Sequence, residues 1–184
     1  MRMKDKVVLV TGGATGIGKA TALRFAEEGA RVAICDVNIA LGQEAVKLLG
    51  EAAMFHPVNV ANREEVQHWV GQVVARYGRI DVLINNAGVL RDSQLVKFKD
   101  GQVTGQMSEL DFDLVIAVNL KGVFNCAQAV TPVMSRQGGG VILNASSVVG
   151  LDANFGQTNY VATKFGVIGM TKVWRANWAD TAFA

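Results

Sequence analysis

Short apolar runs alternate with longer helix-forming stretches along most of this chain of 184 residues. Five runs are rich in Val or Ile and too short for buried helices, which predicts strands buried on both faces: Lys6–Val10, Arg31–Cys35, Met54–Val58, Val82–Ile84 and Val141–Asn144. Five stretches are long enough for helices: Ile17–Glu28, Ile39–Leu49, Arg63–Tyr77, Glu109–Ser135 and Asn159–Val173. The alternation predicts an α/β fold with a doubly wound parallel sheet and helices on both faces.

Composition narrows the class of protein further. Half of the residues are hydrophobic and 18% are charged, which excludes a disordered chain and predicts one domain over residues 1–184. The formal net charge of +2 gives no reason to expect nucleic acid or a membrane as a partner. The N-terminal pattern does not predict a signal peptide, and no apolar run approaches the roughly 18 residues of a membrane helix. Two cysteines and two histidines cannot make a usual zinc cluster, so we expect a cytoplasmic protein without a metal site.

A glycine-rich loop follows the first predicted strand and opens a helical pattern. Its glycines permit a tight turn and a close approach of the backbone to a pyrophosphate, and the helix N-terminus supplies free N–H groups. On its own, such a loop can also be a turn without a ligand. Here it follows a strand and precedes a helix, which predicts that it binds a dinucleotide through these residues: Gly12, Ala14, Thr15, Gly16, Ile17 and Gly18.

An acidic residue ends the second predicted strand. Asp36 lies 18 residues after Gly18, where a carboxylate can accept both ribose hydroxyls of NAD and would repel the 2′-phosphate of NADP. The loop carries Ala14 and Thr15 where an Arg or Lys could bind that phosphate. These residues predict NAD as the cofactor, with NADP disfavoured by Asp36.

Three residues form a candidate catalytic set. Tyr160 and Lys164 are four residues apart on a predicted helix, so their side chains share one face. The lysine ammonium would favour the phenolate and allow the tyrosine to act in acid–base chemistry. Ser147 follows the strand Val141–Asn144 and can hydrogen-bond a substrate carbonyl oxygen at the carboxyl end of the sheet. A tyrosine and a lysine at this spacing also occur by chance on amphipathic helices.

The order and spacing of these motifs resemble the short-chain dehydrogenase/reductase family of the classical type, nearest the 3-oxoacyl-[acyl-carrier-protein] reductase branch. The resemblance covers residues 4–174 and implies a Rossmann-like fold. It rests on these residues: Thr11–Gly18, Asp36, Asn59, Val60, Asn85, Asn86, Ala87, Gly88, Asn119, Ser147, Tyr160 and Lys164.

The resemblance implies catalytic roles for four of these residues. Tyr160 would exchange a proton with the substrate oxygen, and Lys164 would assist it and hold the nicotinamide ribose. Ser147 would position the carbonyl group. Asn119, in a locally distorted helix, would hold a water that links Lys164 to solvent.

The resemblance also extends the cofactor site. Asn59 and Val60 would flank the adenine, with Asn59 in place of an acid that is frequent in the family. Asn86, Ala87 and Gly88 would support the adenosine ribose. Tyr160 and Lys164 would contact the nicotinamide side.

The implied function is an NAD-dependent oxidoreductase (EC 1.1.1.-) that acts on a carbonyl or secondary alcohol, such as a 3-oxoacyl thioester, a sugar or a steroid. The branch itself generally uses NADPH, whereas Asp36 favours NAD. The apolar stretch Leu114–Val133 corresponds to a dimer face in the family, so a homo-oligomer is expected. The alternative is a non-catalytic dinucleotide-binding module or an inactive, truncated relic.

The chain departs from the family pattern in two places. Residues 97–106 look like an insertion, and the polar stretch Arg91–Ser108 is predicted to be a surface loop. After Trp174 the tail 175–184 looks foreign, and deletion of one nucleotide from a family-like coding sequence would produce this tail and a stop codon. We therefore expect a sheet that lacks the family's last two strands, and poor folding and doubtful activity in a chain of this length.

Overall fold

The parallel sheet and its helices cover most of the described part of the chain. The structure is a computed structural model that describes residues 1–178. In chain order its elements are β1 Val7–Thr11, α1 Gly16–Glu27, β2 Arg31–Asp36, α2 Ile39–Leu49, β3 Met54–Pro57, α3 Arg63–Tyr77, β4 Val82–Asn85, β5 Val96–Lys99, β6 Gln102–Gln106, α4 Glu109–Ile116, a π-helical turn Ala117–Lys121, α5 Gly122–Arg136, β7 Val141–Asn144, α6 Val149–Asp152 and α7 Thr158–Asn177.

Five parallel strands form the main sheet, in the order β3-β2-β1-β4-β7. The central strand β1 pairs with β2 on one side and β4 on the other, so that Leu9 lies between Ala33 and Leu83. From β1 the chain adds β2 and β3 on one side of the sheet, and it then adds β4 and β7 on the other side of β1. The strand order therefore reverses between β1 and β4. In sheets of this kind a ligand crevice opens at the carboxyl ends of the strands next to such a switch.

The sheet is covered on both faces, as the alternation of apolar runs predicts. Leu9 of β1 belongs to a core cluster with Trp69 of α3 and Cys126 of α5. Val8 of the same strand belongs to a second cluster on the opposite face, with Ala22 of α1 as a neighbour. Because successive strand residues point to opposite faces, β1 is buried on both sides. The fold is Rossmann-like and α/β.

The strand ends differ from the predicted ones by a residue at several positions. β1 begins one residue later than predicted, at Val7, and ends at Thr11, while β2 extends to Asp36 and β4 to Asn85. These shifts follow the pairing, because Thr11 is paired with Cys35 and Asn85 with Asn144. Backbone pairing thus continues past the apolar run of each strand, because polar residues at the strand ends can also pair.

The predicted helix Glu109–Ser135 is interrupted in the structure. It consists of α4, the π-helical turn Ala117–Lys121 and α5, which ends at Arg136. Asn119 lies in the π-helical turn and is 1% exposed. The distorted helix that the family resemblance implies at Asn119 is therefore present.

The surface loop predicted over Arg91–Ser108 is wrong, because this segment contains a β-hairpin. Strands β5 and β6 pair antiparallel from Val96–Gln106 to Lys99–Gln102. Asp100 and Gly101 at the turn both have positive φ, of 52° and 76°. Two successive positive φ angles are typical of the tight turns that match the twist of a hairpin.

The end of the described chain is helical. α6 was not predicted, and α7 runs to Asn177, past the predicted end at Val173. No strand follows β7 within residues 1–178, in agreement with the predicted sheet. Residues 175–178 of the tail thus continue or end α7, and residues 179–184 lie outside the described residues.

One helical stretch, Glu109–Arg136, is long and apolar enough to cross a membrane by length and composition alone. The core helix of a globular protein passes the same test, and 44% of its apolar window is buried inside the structure. Val115, Cys126 and Met134 are each completely buried. This burial is that of a core helix packed on the sheet.

Candidate active site

A cleft of about 580 Å³ opens at the carboxyl end of the sheet, next to the switch between β1 and β4. It brings together most of the residues predicted to bind the cofactor. These are Gly12, Thr15, Gly16, Ile17, Asp36, Asn59, Val60, Asn86, Ala87 and Gly88. Ala14 and Gly18 of the same set are buried behind the surface of the loop.

The glycines of the loop meet two different needs. A Cβ on Gly12, whose φ is +64°, would lie 2.9 Å from Ala87 Cα, and a Cβ on Gly18 would overlap the carbonyl oxygen of Gly12. These two glycines let the loop pack against the segment that follows β4 and against the start of α1. Gly16 has a φ of +50° and open space where a Cβ would be, on the cleft side. There the missing side chain leaves room for a ligand.

The N-terminus of α1 differs from those of the next three helices. Thr15 makes no side-chain cap, whereas α2 is capped by Asn38, α3 by Asn62 and α4 by Ser108. The first N–H groups of α1 are therefore left to a ligand in the cleft, and the helix dipole favours a negative one. Together with the open space at Gly16, this loop fits the pyrophosphate of a dinucleotide.

Asp36 lies between the glycine loop and the cleft. One of its carboxylate oxygens accepts the N–H of Ala14 at 3.2 Å, and the other accepts the N–H of Asn38 at 3.0 Å. Each oxygen can still accept a further hydrogen bond from a hydroxyl group. The neighbouring Val37, which is 70% exposed, also lines the cleft. This end of the cleft thus presents an anion and an apolar side chain.

Hydrogen bonds made by Thr11 and Asn86 join the ends of β1 and β4. The sequence predicted a cofactor-binding role for Asn86 and no separate role for Thr11. The Thr11 hydroxyl oxygen accepts the N–H groups of Asn86 and Ala87, each at 3.0 Å. The Asn86 amide donates to the carbonyl oxygens of Thr11 at 3.1 Å and of Gly12 at 3.3 Å. These bonds fix the floor of the cleft.

A second wall of the cleft is formed by the turn after β3. Asn59 Oδ1 accepts the N–H of Ala61 at 3.0 Å, which closes a local turn. Asn125 of α5 donates to the carbonyl oxygen of Val60 at 2.9 Å. Asn59 and Val60 therefore face the cleft from a position held by hydrogen bonds on both sides.

Lys164 and Tyr160 lie side by side on α7. The Lys164 ammonium is 5.4 Å from the centre of the Tyr160 ring, and it donates to the Ala145 carbonyl oxygen at 2.6 Å. Lys164 is 6% exposed, and this burial lowers the pKa of its ammonium group. Ala145 follows directly on β7, so the lysine is held at the carboxyl end of that strand.

Ser147 lies two residues further along, between β7 and α6. Its carbonyl oxygen accepts the N–H of Gly150 at 3.0 Å, and its side chain is half-buried. The adjacent Ser146 donates its hydroxyl to the Lys164 carbonyl oxygen at 2.9 Å, which ties this loop to α7. Among the described residues, Ser147 and Tyr160 share no hydrogen bond, so the structure places them on adjacent segments without joining them.

Asn119 has both polar side-chain atoms engaged. Its Nδ2 donates to the Val89 carbonyl oxygen at 2.9 Å, and its Oδ1 accepts the Val89 N–H at 2.8 Å. The side chain thus pairs with the segment after Gly88. Within the described contacts, the Asn119 side chain holds this backbone and makes no bond to Lys164.

Asn159 was missed by sequence reasoning, although it directly precedes Tyr160. It is completely buried, and its Oδ1 accepts the Tyr160 N–H at 2.7 Å. Its Nδ2 donates to the carbonyl oxygens of Arg91 at 3.0 Å and Asp111 at 3.4 Å. The only signal in the sequence is its position beside Tyr160, because an asparagine near the start of a helix is also common as an ordinary cap.

The segment with the hairpin is attached to the start of α7. Arg91 and Asp111 mark its two ends and approach each other to 3.6 Å through their side chains. Ser93 donates its N–H to the Gly156 carbonyl oxygen at 2.8 Å, and Gln157 donates to Asp92 at 2.7 Å. A cavity of about 430 Å³ lies between these segments, lined by Asp92, Ser93, Gln94, Lys97, Gly105, Gln106, Phe155 and Gly156.

Within residues 1–178, no group of three or more His, Cys, Asp or Glu side chains is placed to hold a metal ion. Cys35 and Cys126 are both buried free thiols. Burial raises the pKa of Cys126 to about 12, so its thiolate is disfavoured. The candidate catalytic side chains are therefore those of Ser147, Tyr160 and Lys164, none of which lines the cleft of about 580 Å³.

The fold and the cleft define a dinucleotide-binding protein of the α/β class. The family model described as short chain dehydrogenase matches residues 6–182, and the chain belongs to this family. It is 51% identical over 178 residues to 3-oxoacyl-[acyl-carrier-protein] reductase FabG of Thermotoga maritima, covering 95% of this chain and 68% of that protein. A protein of the same name from Staphylococcus epidermidis is 46% identical over 172 residues, covering 91% of this chain and 67% of that protein.

Membership of this family makes the chain an oxidoreductase of class EC 1.1.1.- with a nicotinamide cofactor. The resemblance to this family and to its 3-oxoacyl-[acyl-carrier-protein] reductase branch is thereby confirmed. The chain spans about two thirds of the length of these two relatives, 68% and 67%.

Proposed function

We propose that this chain is an NAD-dependent oxidoreductase that transfers a hydride between the nicotinamide and a carbonyl or secondary alcohol carbon. The observation that carries the proposal is the placement of Lys164 beside Tyr160 at the carboxyl end of β7. A 3-oxoacyl thioester is the first substrate to test, because the relatives are named for its reduction. Sugars, steroids and other secondary alcohols are further substrate classes.

The proposed catalytic roles follow from the chemistry of the side chains. The cofactor, when bound, supplies the hydride acceptor or donor. Tyr160 transfers the proton at the substrate oxygen through its hydroxyl group, and Lys164 places its ammonium group beside the Tyr160 ring. Ser147 donates a hydrogen bond to the same oxygen. Asn119 holds the backbone at Val89 and with it the wall of the cleft.

The proposed cofactor is NAD, and two residues at one end of the cleft support it. Asp36 has an unused acceptor site on each carboxylate oxygen, as the two ribose hydroxyls require. A 2′-phosphate would meet this negative charge and the apolar Val37. The remaining cofactor contacts are assigned to Gly12, Ala14, Thr15, Gly16, Ile17, Gly18, Asn59, Val60, Asn86, Ala87, Gly88, Tyr160 and Lys164.

The proposal includes the state and the location of the protein. We expect one domain that acts in the cytoplasm on a small-molecule substrate, with neither nucleic acid nor a membrane as a partner. A homo-oligomer, either a dimer or a tetramer, is expected through the apolar stretch Leu114–Val133, where Leu114 is 39% exposed and Phe124 37% exposed. Exposed apolar side chains on a helix favour association with a second apolar surface.

The variant Tyr160→Phe tests the proposal, because it removes one hydroxyl group and leaves the ring beside Lys164. Turnover of a 3-oxoacyl thioester should fall by a factor on the order of 10² to 10⁴, the usual contribution of general acid–base catalysis. The Kd for NAD should change less than about twofold, because the variant keeps the ring, Lys164 and every residue that lines the cleft.

A non-catalytic dinucleotide-binding module makes a different prediction. In that case the wild-type chain binds NAD but turns over no carbonyl or alcohol substrate, and Tyr160→Phe changes neither property. A wild-type chain that binds neither NAD nor NADP would contradict both functions.

A further inference from the structure

Glu65 lies outside the cleft but contacts one of its walls. It is in the first turn of α3, and its Oε2 accepts the backbone N–H of Asn59 at 2.7 Å. Its Oε1 accepts a hydrogen bond from the Asn62 side chain at 2.9 Å. One carboxylate thus bridges the end of the β3 turn and the start of the helix.

The Glu65 carboxylate is itself fixed by a reciprocal cap. Asn62 Oδ1 accepts the N–H groups of Glu64 at 3.0 Å and of Glu65 at 3.3 Å. The Asn59 carbonyl oxygen in turn accepts the N–H of Asn62 at 2.9 Å. The arrangement is similar to a capping box, but Glu65 binds the Asn62 side chain in place of its backbone N–H, and it closes the segment from Asn59 to Glu65 as one hydrogen-bonded unit. The orientation of Asn59 therefore depends on the carboxylate of Glu65.

The unit forms the wall that faces the glycine loop across the cleft. Val58, Asn59 and Val60 line the cleft, while Glu65 does not. The opposite side of this wall is held by Asn125 through the Val60 carbonyl oxygen. Asn125 fixes Val60 from within the core, and Glu65 fixes Asn59 from the surface.

We propose that Glu65 is a positioning residue for the adenosine end of the cofactor, acting through the backbone N–H of Asn59. This inference rests on the proposed function, in which the cleft binds NAD. The rigid turn presents the Asn59 side chain to the adenosine in one orientation, which lowers the entropy that binding has to remove. Without the carboxylate, the turn samples other orientations and the cofactor binds more weakly.

A carboxylate is required because both partners of Glu65 are donors. An amide at this position has one acceptor oxygen, and its NH₂ group would face either the Asn59 N–H or the Asn62 NH₂. Asn62 cannot turn its amide without losing its bonds to the N–H groups of Glu64 and Glu65. Glu65→Gln therefore keeps the size of the side chain and breaks one of the two contacts.

Glu64 offers a matched control. It belongs to the same acidic first turn of α3, and the structure gives its side chain no hydrogen bond among the described residues. Glu64→Gln removes the same charge from the same helix end but leaves the Asn59 turn intact. Any effect of the helix dipole should be equal in the two variants.

The experiment measures the Kd of ADP-ribose, which lacks the nicotinamide, and the kinetic constants for NAD. Glu65→Gln should raise the Kd of ADP-ribose and the KM for NAD about fivefold to tenfold, with kcat at saturating NAD within twofold of wild type. Glu64→Gln should stay within twofold in all three. Glu65→Asp, which keeps the charge but cannot span both partners, should fall between them.

Three results would overturn the inference or its basis. Equal Kd values for ADP-ribose in Glu65→Gln and Glu64→Gln would show that Glu65 does not position the adenosine end of the cofactor. A loss of kcat as large as the rise in KM would indicate general damage to the fold. If the wild-type chain binds neither ADP-ribose nor NAD, the proposed function itself fails, which is distinguishable because no variant is involved.

Discussion

The two ends of the same parallel sheet carry acidic residues with very different surroundings. At the amino end, each oxygen of Asp81 accepts two hydrogen bonds, from the Val7 N–H, the Lys6 ammonium and two nitrogens of Arg79. At the carboxyl end, each oxygen of Asp36 accepts one, from a backbone N–H. Asp81 is satisfied by the protein alone, whereas Asp36 retains acceptor sites next to an open cleft.

The polarity of parallel strands explains this difference. Strand amino ends present N–H groups, which a carboxylate such as Asp81 can accept. Strand carboxyl ends present carbonyl oxygens, and there the donors gather: Lys164 binds the Ala145 oxygen and Asn86 binds the Thr11 oxygen. Changes at the carboxyl end should therefore alter binding and turnover, and changes at the amino end should alter stability.

Among the changes that compare the two ends of the sheet, the largest effect is expected from Asn159→Ala at the carboxyl end. This change removes the bonds that hold Arg91 and Asp111 against the start of α7, and it releases the N–H of Tyr160. Because a displacement of about 1 Å can cost about 100-fold in rate, kcat/KM for the substrate should fall by about that factor. Steady-state kinetics with saturating NAD measure the loss.

Asn154→Ala is the control for this change. Asn154 lies in the loop before α7 and bonds only to its neighbours Phe155 and Gln157 through its side chain. The variant Asn154→Ala should have a kcat/KM within about threefold of wild type. If Asn159→Ala weakens NAD binding as much as turnover, the residue supports the whole cleft and not the catalytic helix.

Sequence patterns predicted the sheet well because buried parallel strands read as short Val and Ile runs. They predicted the glycine loop equally well, since a positive φ at Gly12 and the close contact of Gly18 both demand glycine. The contacts of Asn159 could not be predicted. They join residues 48 and 68 positions away, and no local pattern reports such a distance.

The hairpin was missed although its signal is present. Asp100 and Gly101 form a dipeptide that favours a tight hairpin turn, and Val and Phe alternate with Lys in β5. The lack of a helical period and the absence of a buried face made the segment read as a loop. Most of its residues are exposed, so pairing, and not burial, defines these strands.

A smaller effect, on stability alone, is expected from Asp81→Asn at the amino end. The change weakens the hydrogen bonds from Arg79 and Lys6, and bonds to charged groups contribute about 2 kcal/mol to the free energy of unfolding. Asp5→Asn is the control, because the ion pair of Asp5 with Arg31 is exposed and should contribute less than about 1 kcal/mol. Denaturant unfolding measures both, and the Kd for NAD should not change.

The effect of Asp81 should depend on pH. Burial alone would raise the pKa of Asp81, but the hydrogen bonds from Arg79 and the Val7 N–H outweigh burial and lower the pKa. A lowered pKa in the folded state stabilises the fold above the ordinary value of 3.8, and this stabilisation disappears as the pH falls through the lowered pKa. The difference between wild type and Asp81→Asn should therefore be constant at neutral pH and shrink below about pH 4.

The smallest effect is expected from Asp36→Ser, which changes the choice of cofactor. The serine removes the charge that opposes a 2′-phosphate and one of the two ribose acceptors, so the ratio of kcat/KM for NAD to that for NADP should fall about tenfold, or about 1.4 kcal/mol. Val37→Ser is the matched control, since Val37 lines the same end of the cleft without a charge. An unchanged ratio in Asp36→Ser would mean that the free acceptor sites of this carboxylate do not select the cofactor. The difference in hydrogen bonding between Asp36 and Asp81 would then be a structural feature of the two ends of the sheet, without a consequence for cofactor choice.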